Sequence, residues 1–276
     1  MNNKQWKKVS HLSLNVLTVI IVLIGMLPMV WLFLTAIKPK IIAFAIPPVY
    51  VFKPTLMNFI NIFSESDFIR SYYNSLIIAC LTTIVSLYFG TLSGYSLARS
   101  SSRLSRAMGI WIILTRMASP IMFILPLYLT LRNLNLLDSY LGLALTYQII
   151  TLPFVTWLMT GFFKGVPVEI EEAAFLDGCG RVKSLFVINL PLVLPGVVTC
   201  AIFTFIMAWN EFLYALVISG RNTRTAPIMV QGFVTFEGVN WSDLAAVGVF
   251  VTLPVIIISF IFQKGLIRGL TGGAFK

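Results

Sequence analysis

Glu169, Glu171, Glu172 and Asp177 are four of only ten acidic residues in this 276-residue chain, and they fall together in one polar stretch, residues 166–195, between two long apolar runs. No histidine lies near them and Cys179 stands alone, so the stretch offers neither a metal-ligand spacing nor an acid/base pair. Its chemistry is recognition: carboxylates presented to a partner surface. Two further charges interrupt apolar runs, Arg116 and Glu211, and Gln148 and Thr151 sit beside Pro153 in another. The sequence contains no GxxxxGK[ST] phosphate cradle, no dinucleotide fingerprint, no HExxH and no nucleophile–base pair, so the chain carries no enzyme chemistry of its own and no cofactor site.

A short helix is expected to hold the four acids. Pro167 suits a first helical position, and Glu169, Glu171 and Glu172 follow in the opening turns, where negative charge favours the positive end of the helix dipole. Gly178 stops the helix because it takes a left-handed conformation without a Cβ penalty, and Gly180 adds a second point of freedom. About ten residues result. Ile170, Ala173, Ala174 and Asp177 share one face at helical spacing, and the paired alanines permit close approach, so that face is read as the docking face. An interfacial helix lying between two membrane spans is the plainer alternative.

Composition fixes the surroundings. With 58% hydrophobic and 11% charged residues and a mean hydropathy of +0.91, the chain has too many long apolar runs for one water-soluble core. The fold class is all-α, a polytopic membrane protein. Apolar runs at 12–37, 72–97, 108–131, 140–163, 192–218 and 244–262 give six expected spans, each long enough to cross about 30 Å of hydrocarbon. The first is too long for a cleavable leader. The net charge of +10 comes from short basic clusters at the ends of these runs, which argues for topology and against nucleic acid. With the N-terminus inside, twelve Lys and Arg fall on internal segments and seven on external ones, which places both termini and the acidic loop in the cytoplasm. Cys80 and Cys200 lie in apolar runs as small fillers, and His11, the only histidine, sits at the mouth of the first span. Asn74 and Ser75 are expected to cap the second span.

The loop also carries a pattern: Glu172-Ala173-Ala174, three residues, Gly178, nine residues, Ile188, one residue, then Leu190-Pro191. It resembles the loop of ATP-binding-cassette importer permeases of the binding-protein-dependent type. The segment IPPVYVFKPTLMNFINIF, the tripeptide Trp209-Asn210-Glu211 and the ending GLTGGAFK are similar to the carbohydrate, maltose-type branch, although the family's usual extra terminal glycine is missing. The resemblance runs from the second span to the C-terminus. It implies a subunit of the bacterial cytoplasmic (inner) membrane, paired with a second, similar permease, two ATPase subunits that hold ATP and magnesium, and a periplasmic or lipid-anchored solute-binding protein. The short helix, between spans four and five, is then the ATPase-coupling element, comprising Glu169, Glu171, Glu172, Ala173, Ala174, Asp177 and Gly178.

The expected domains are an N-terminal segment with the first span and external loop (1–69), a permease core (70–263) with the coupling loop at 164–191, and a cytoplasmic tail (264–276). Candidates for the translocation path are Arg116, Gln148, Thr151, Trp209, Asn210 and Glu211. Arg116, nine residues into the third span, is either a path contact or a structural pair. Glu211 and Asn210 beside an indole suit sugar hydroxyls and a sugar face, or equally hold a broken helix together. A permease for a polyamine, phosphonate or amino acid shares the loop pattern. An ion-coupled carrier would need membrane-embedded acids or paired repeats, and only Glu211 is present.

Overall fold

The computed structural model describes residues 3–64, 66–235 and 238–271; the end of the tail, 272–276, and the side chain of His11 lie outside the described set. The chain divides into two units, one formed by residues up to 64 with Gly232–Thr252, the other by Ser66–Gln231 with the chain from Leu253 onward.

The larger unit is built on α3 (Ser66–Arg99), α6 (Tyr140–Lys164) and α10 (Leu194–Trp209). Much of the apolar surface of these helices is exposed, as a membrane span requires, while α3 turns Ser71, Asn74, Thr82 and Ser86 inward. Close approach between α3 and α6 depends on Gly90 and Gly94: a Cβ on Gly90 would meet Val155 Cγ1 at 2.6 Å, and one on Gly94 would meet Met159 Cβ at 2.8 Å. Small residues four apart let two backbones touch where apolar surface alone gives no net drive, as in lipid. Two clusters of buried side chains fill the rest, one around Tyr147, Trp209 and Tyr214, the other around Val155, Met159, Phe163 and Val193.

Among the described residues, four helices are long and apolar enough to cross a membrane, Leu14–Ala36, Asp67–Arg99, Tyr140–Lys164 and Trp241–Gln263, or up to six spans if each of two bent helix pairs is one. The regions of the expected third and fifth spans are bent helix pairs and not single helices, and each pair passes the same length and composition test when its arms are taken together. α4 (Arg103–Met117) and α5 (Ile121–Asn133) meet at 101°, and the segment Arg181–Leu192 meets α10 at 79°. Pro120 explains the first break: it clears the preceding Ser119 from helical backbone, and Ala118 is already extended at ψ 137°. Pro195 stands in the first turn of α10 and fixes the second. Before that turn come α8 (Arg181–Ser184), a π-helical stretch Leu185–Asn189 and α9 (Leu190–Leu192). A third interruption, Asn210–Phe212, separates α10 from α11 (Leu213–Ile218). The exposed break is not left unsatisfied, because Tyr214 Oη of α11 donates to the carbonyl of Pro120 at 3.2 Å.

In the smaller unit, α1 (Asn3–Ala36) ends under α2 (Met57–Ser64), whose buried Asn58 donates to the carbonyls of Ala36 and Lys38 at 2.7 and 2.8 Å. That supplies partners for carbonyls that a helix C-terminus leaves open. Two two-residue strands, β1 (Val234–Thr235) and β2 (Gly238–Val239), pair antiparallel and precede α13 (Trp241–Thr271). Asp243, in the first turn of α13, pairs with Lys40 at 2.7 Å.

Candidate coupling site

The acidic loop folds as α7 (Val168–Leu176), entered through Pro167 and left through Gly178 at φ +80°. Gly178 N–H donates to the Phe175 carbonyl and Cys179 N–H to that of Ala174, the 5→2 and 6→1 bonds of a Schellman end. Nine residues result; Pro167 is the residue before the helix and not its first, and Gly178 ends it as expected.

Of the expected docking face, Ile170, Ala173 and Asp177 are exposed and Ala174 is not. Glu171 is 3% exposed and Ala174 is buried beside it, so these two residues form the inner face. Glu169, Ile170, Glu172, Ala173, Asp177 and Gly178 are exposed, and Leu176 is 90% exposed. The seven coupling candidates thus divide: Glu171 and Ala174 seat the helix, and the others face away from the chain.

Glu171 is held by two residues of α3. The guanidinium of Arg99 ion-pairs with its carboxylate, and Tyr95 Oη donates to its second oxygen at 3.1 Å. The remaining Arg99 donors reach the carbonyls of Phe163 and Val166, at 2.9 and 3.1 Å. Arg99, the last residue of α3, therefore ties together the end of α6, the turn into α7 and α7 itself. Sequence reasoning counted Arg99 only as a topological charge. Its position at the helix end favours a cation, but its partner lies 72 residues away and no local pattern announces it.

The path candidates scatter. Gln148 and Thr151 close a lock between α6 and α3: Ser86 Oγ donates to Gln148 Oε1 at 2.6 Å and lies 2.7 Å from Thr151 Oγ1. Trp209 is 1% exposed, stacked with Phe205 and edge-on to Tyr72, so its ring faces are covered by the chain itself. Glu211 accepts from the N–H groups of Tyr214 and Ala215 at 3.1 and 3.3 Å, capping α11, while Asn210 is exposed. Arg116 is in the last turn of α4, against the 101° break between α4 and α5. It lies over the rings of Phe154 and Trp157, and among the described residues no carboxylate pairs with it.

A groove of about 650 Å³ that sequence reasoning missed opens between α3, α4 and α6, lined mostly by apolar side chains such as Leu92, Leu97, Met108, Trp111 and Ile112, with Ser93, Ser96, Ser100, Ser105, Thr115 and Thr156 among them. Its signal was present as serines at i, i+3 and i+7 along α3, which share one face.

At the other end of α3, Asn74 is inside the helix and not at its cap, because α3 begins at Ser66. Its Nδ2 donates to the carbonyls of Asn222 and Arg224, both at 2.9 Å, and its Oδ1 accepts from Tyr140 Oη. Ser75 accepts from the N–H of Ala226, at the start of α12 (Ala226–Val230). Asp138, between α5 and α6, accepts from the N–H groups of Gly220, Asn222 and Thr223 and from the Thr223 hydroxyl. Burial pushes the Asp138 carboxyl up, and these donors together outweigh it and hold the group below the usual range.

Residues 86–272 match the model of a family described as the binding-protein-dependent transport system inner membrane component. Among curated relatives, the sulfoquinovosyl glycerol transport system permease protein of Agrobacterium fabrum is 34% identical over 91% of this chain and 89% of its own. The trehalose transport system permease protein of Mycobacterium tuberculosis is 32% identical over 95% and 96%, and the trehalose/maltose permease protein of Thermococcus litoralis is 30% identical over 94% of each. In structure the chain resembles one from a bacterial ABC transporter involved in the import of alginate, with a TM-score of 0.77 at 21% identity, covering 96% of this chain and 98% of that one. The chain belongs to the family of binding-protein-dependent transport system inner membrane components.

Proposed function

We propose that this chain is a permease subunit of an ATP-driven importer, forming half of a translocation path for a carbohydrate and working by alternating access. The observation that supports the reading is α7, a helix anchored from behind by Arg99 with Glu172, Ala173 and Asp177 exposed on its outer side. That partner is a separate ATPase, two copies of which hold ATP and magnesium and sit on the cytoplasmic side together with the chain's N-terminus and tail. When the ATPases close, α7 moves with them, and Arg99 carries the displacement into α3 and the end of α6. A second, similar permease completes the path, and a solute-binding protein delivers substrate from outside. Relatives named for trehalose, trehalose/maltose and sulfoquinovosyl glycerol support a carbohydrate. Arg116 and Asn210, both exposed at helix breaks, are assigned to the path wall.

The test is purification of the tagged chain from its native membrane with lipid retained, followed by mass spectrometry of everything bound in stoichiometric amount. An ATPase and a second permease are expected, with uptake in vesicles that stops when ATP is withdrawn. Uptake that persists without ATP and collapses with the ion gradient overturns the reading.

A further inference from the structure

We propose that Arg70, Arg221 and Arg224 form a basic rim that docks acidic side chains of the soluble protein delivering the substrate; this rests on the importer reading. The three arginines line a shallow pocket of about 270 Å³ together with Asp67, Ser219 and Gly220. Three arginines and one acid, Asp67, line it, and the Asp138 carboxylate lies beneath the loop, bonded to its backbone N–H groups. None of the three forms an ion pair among the described residues, and Arg70 commits only one donor, at 3.1 Å, to Asn222 Oδ1.

The position of the rim selects the partner. Arg70 stands at the start of α3 and Arg99 at its end, 29 residues on, which is about 44 Å along a helix. The rim is therefore on the far side of the membrane from α7. Basic residues are biased toward the cytoplasmic side, so a cluster on the opposite side is not explained by topology. The rim also lies on the loop beyond the last turn of α11, outside the apolar helix, where a soluble surface reaches it.

The loop is preorganised. Asp138 gathers the backbone from Gly220 to Thr223 from below, and Asn74 holds the carbonyls of Asn222 and Arg224. Arg221, exposed at the crest, is thus presented by backbone fixed on both sides. Preordered positive charge steers an acidic partner and sets its register, an effect read mainly in association rate and its salt dependence.

The test uses the assembled importer in nanodiscs, with its ATPases and second permease, and the purified solute-binding protein, at low and high salt. Arg221→Glu is expected to slow association by about tenfold at low salt, with the difference shrinking at high salt, while Arg221→Lys behaves as wild type. Equal association of Arg221→Glu and wild type overturns the rim and leaves the importer reading standing. A defect seen only when the nanodisc contains anionic lipid also overturns it, since the occupant is then a lipid headgroup. If no ATPase co-purifies and no soluble protein binds even the wild type, the importer reading falls, and the rim with it.

Discussion

Arg99 and Glu171 are 72 residues apart in sequence and ion-paired in the fold, and their side chains are only 14% and 4% exposed. A buried pair contributes little net stability compared with an apolar replacement, but removing one member strands the other, which typically costs about 3–5 kcal/mol. The pair is thus a specific lock and not a source of bulk stability. Arg99→Ala and Glu171→Ala are each expected to lower the melting temperature of the purified chain and to loosen α7. Hydrogen exchange over 166–180 should rise in both. The swap Arg99→Glu with Glu171→Arg should recover part of that protection, and no recovery would mean that Arg99 acts through its carbonyl bonds alone.

Glu172 gives the complementary prediction. It follows Glu171 directly but is exposed, so Glu172→Lys should leave insertion and melting temperature unchanged, within about 0.5 kcal/mol. ATP-driven uptake in vesicles should be lost. Normal uptake by this variant would remove the docking role from the outer face of α7.

Gly94→Val tests the contact between α3 and α6. Its added carbons have no room, with Met159 Cβ 2.8 Å and Thr160 N 3.0 Å from the first of them, and the second of these is backbone that cannot rotate away. Overpacking of this kind usually costs about 1–3 kcal/mol, and here it should also disturb Arg99, about one and a half turns on. The variant should melt lower and exchange faster at α7, whereas Gly178→Ala should affect only the end of α7.

Asp138 predicts a pH dependence. Its carboxyl is held below the usual range by the loop donors, so the unfolded state binds the proton more readily than the folded one. The stabilisation is present above the ordinary carboxylate pKa and is lost as pH falls through the depressed native value. Limited proteolysis of the loop at 219–225 should accordingly increase in the acid range. In Asp138→Asn the loop should be cut faster at neutral pH, and the acid-induced increase should be absent.

What the sequence made legible, and what it did not, follows from the range of each signal. The bounds of α7 depend on Pro167 and Gly178, both local, and could be read directly. Its rotational setting depends on Arg99, and one position along a helix turns a side chain by a quarter of the circumference, so Glu171 and Glu172 could not be told apart. Mean hydropathy over 108–131 and 192–218 carried no trace of the bends, because a turn at Ala118–Pro120 is as apolar as a helix. The prolines were the only warning. Asn74 was misplaced for the opposite reason: α3 begins with polar turns that extend beyond the apolar run, so the start of the run was not the start of the helix. Gly90 and Gly94, and serines 93, 96 and 100, were readable signals of packing and of a groove.

Glu211 is the remaining acid in an apolar run, and its two readings now make different predictions. Its carboxylate caps α11 by accepting from Tyr214 and Ala215, and Tyr214 in turn reaches the Pro120 carbonyl at the other break. Loss of a cap costs about 0.5–2 kcal/mol, and here the loss should spread to α4 and α5 through Tyr214. Glu211→Ala should therefore lower the melting temperature with no substrate present, and Tyr214→Phe should reproduce the part of the effect transmitted to Pro120. Glu211→Gln keeps an acceptor oxygen and should fall between wild type and alanine. A substrate contact predicts the reverse order of sensitivity, with transport affinity changed and the melting temperature untouched. Melting curves and uptake measured on the same three variants separate the two, and a cap of this geometry requires the melting temperature to move first.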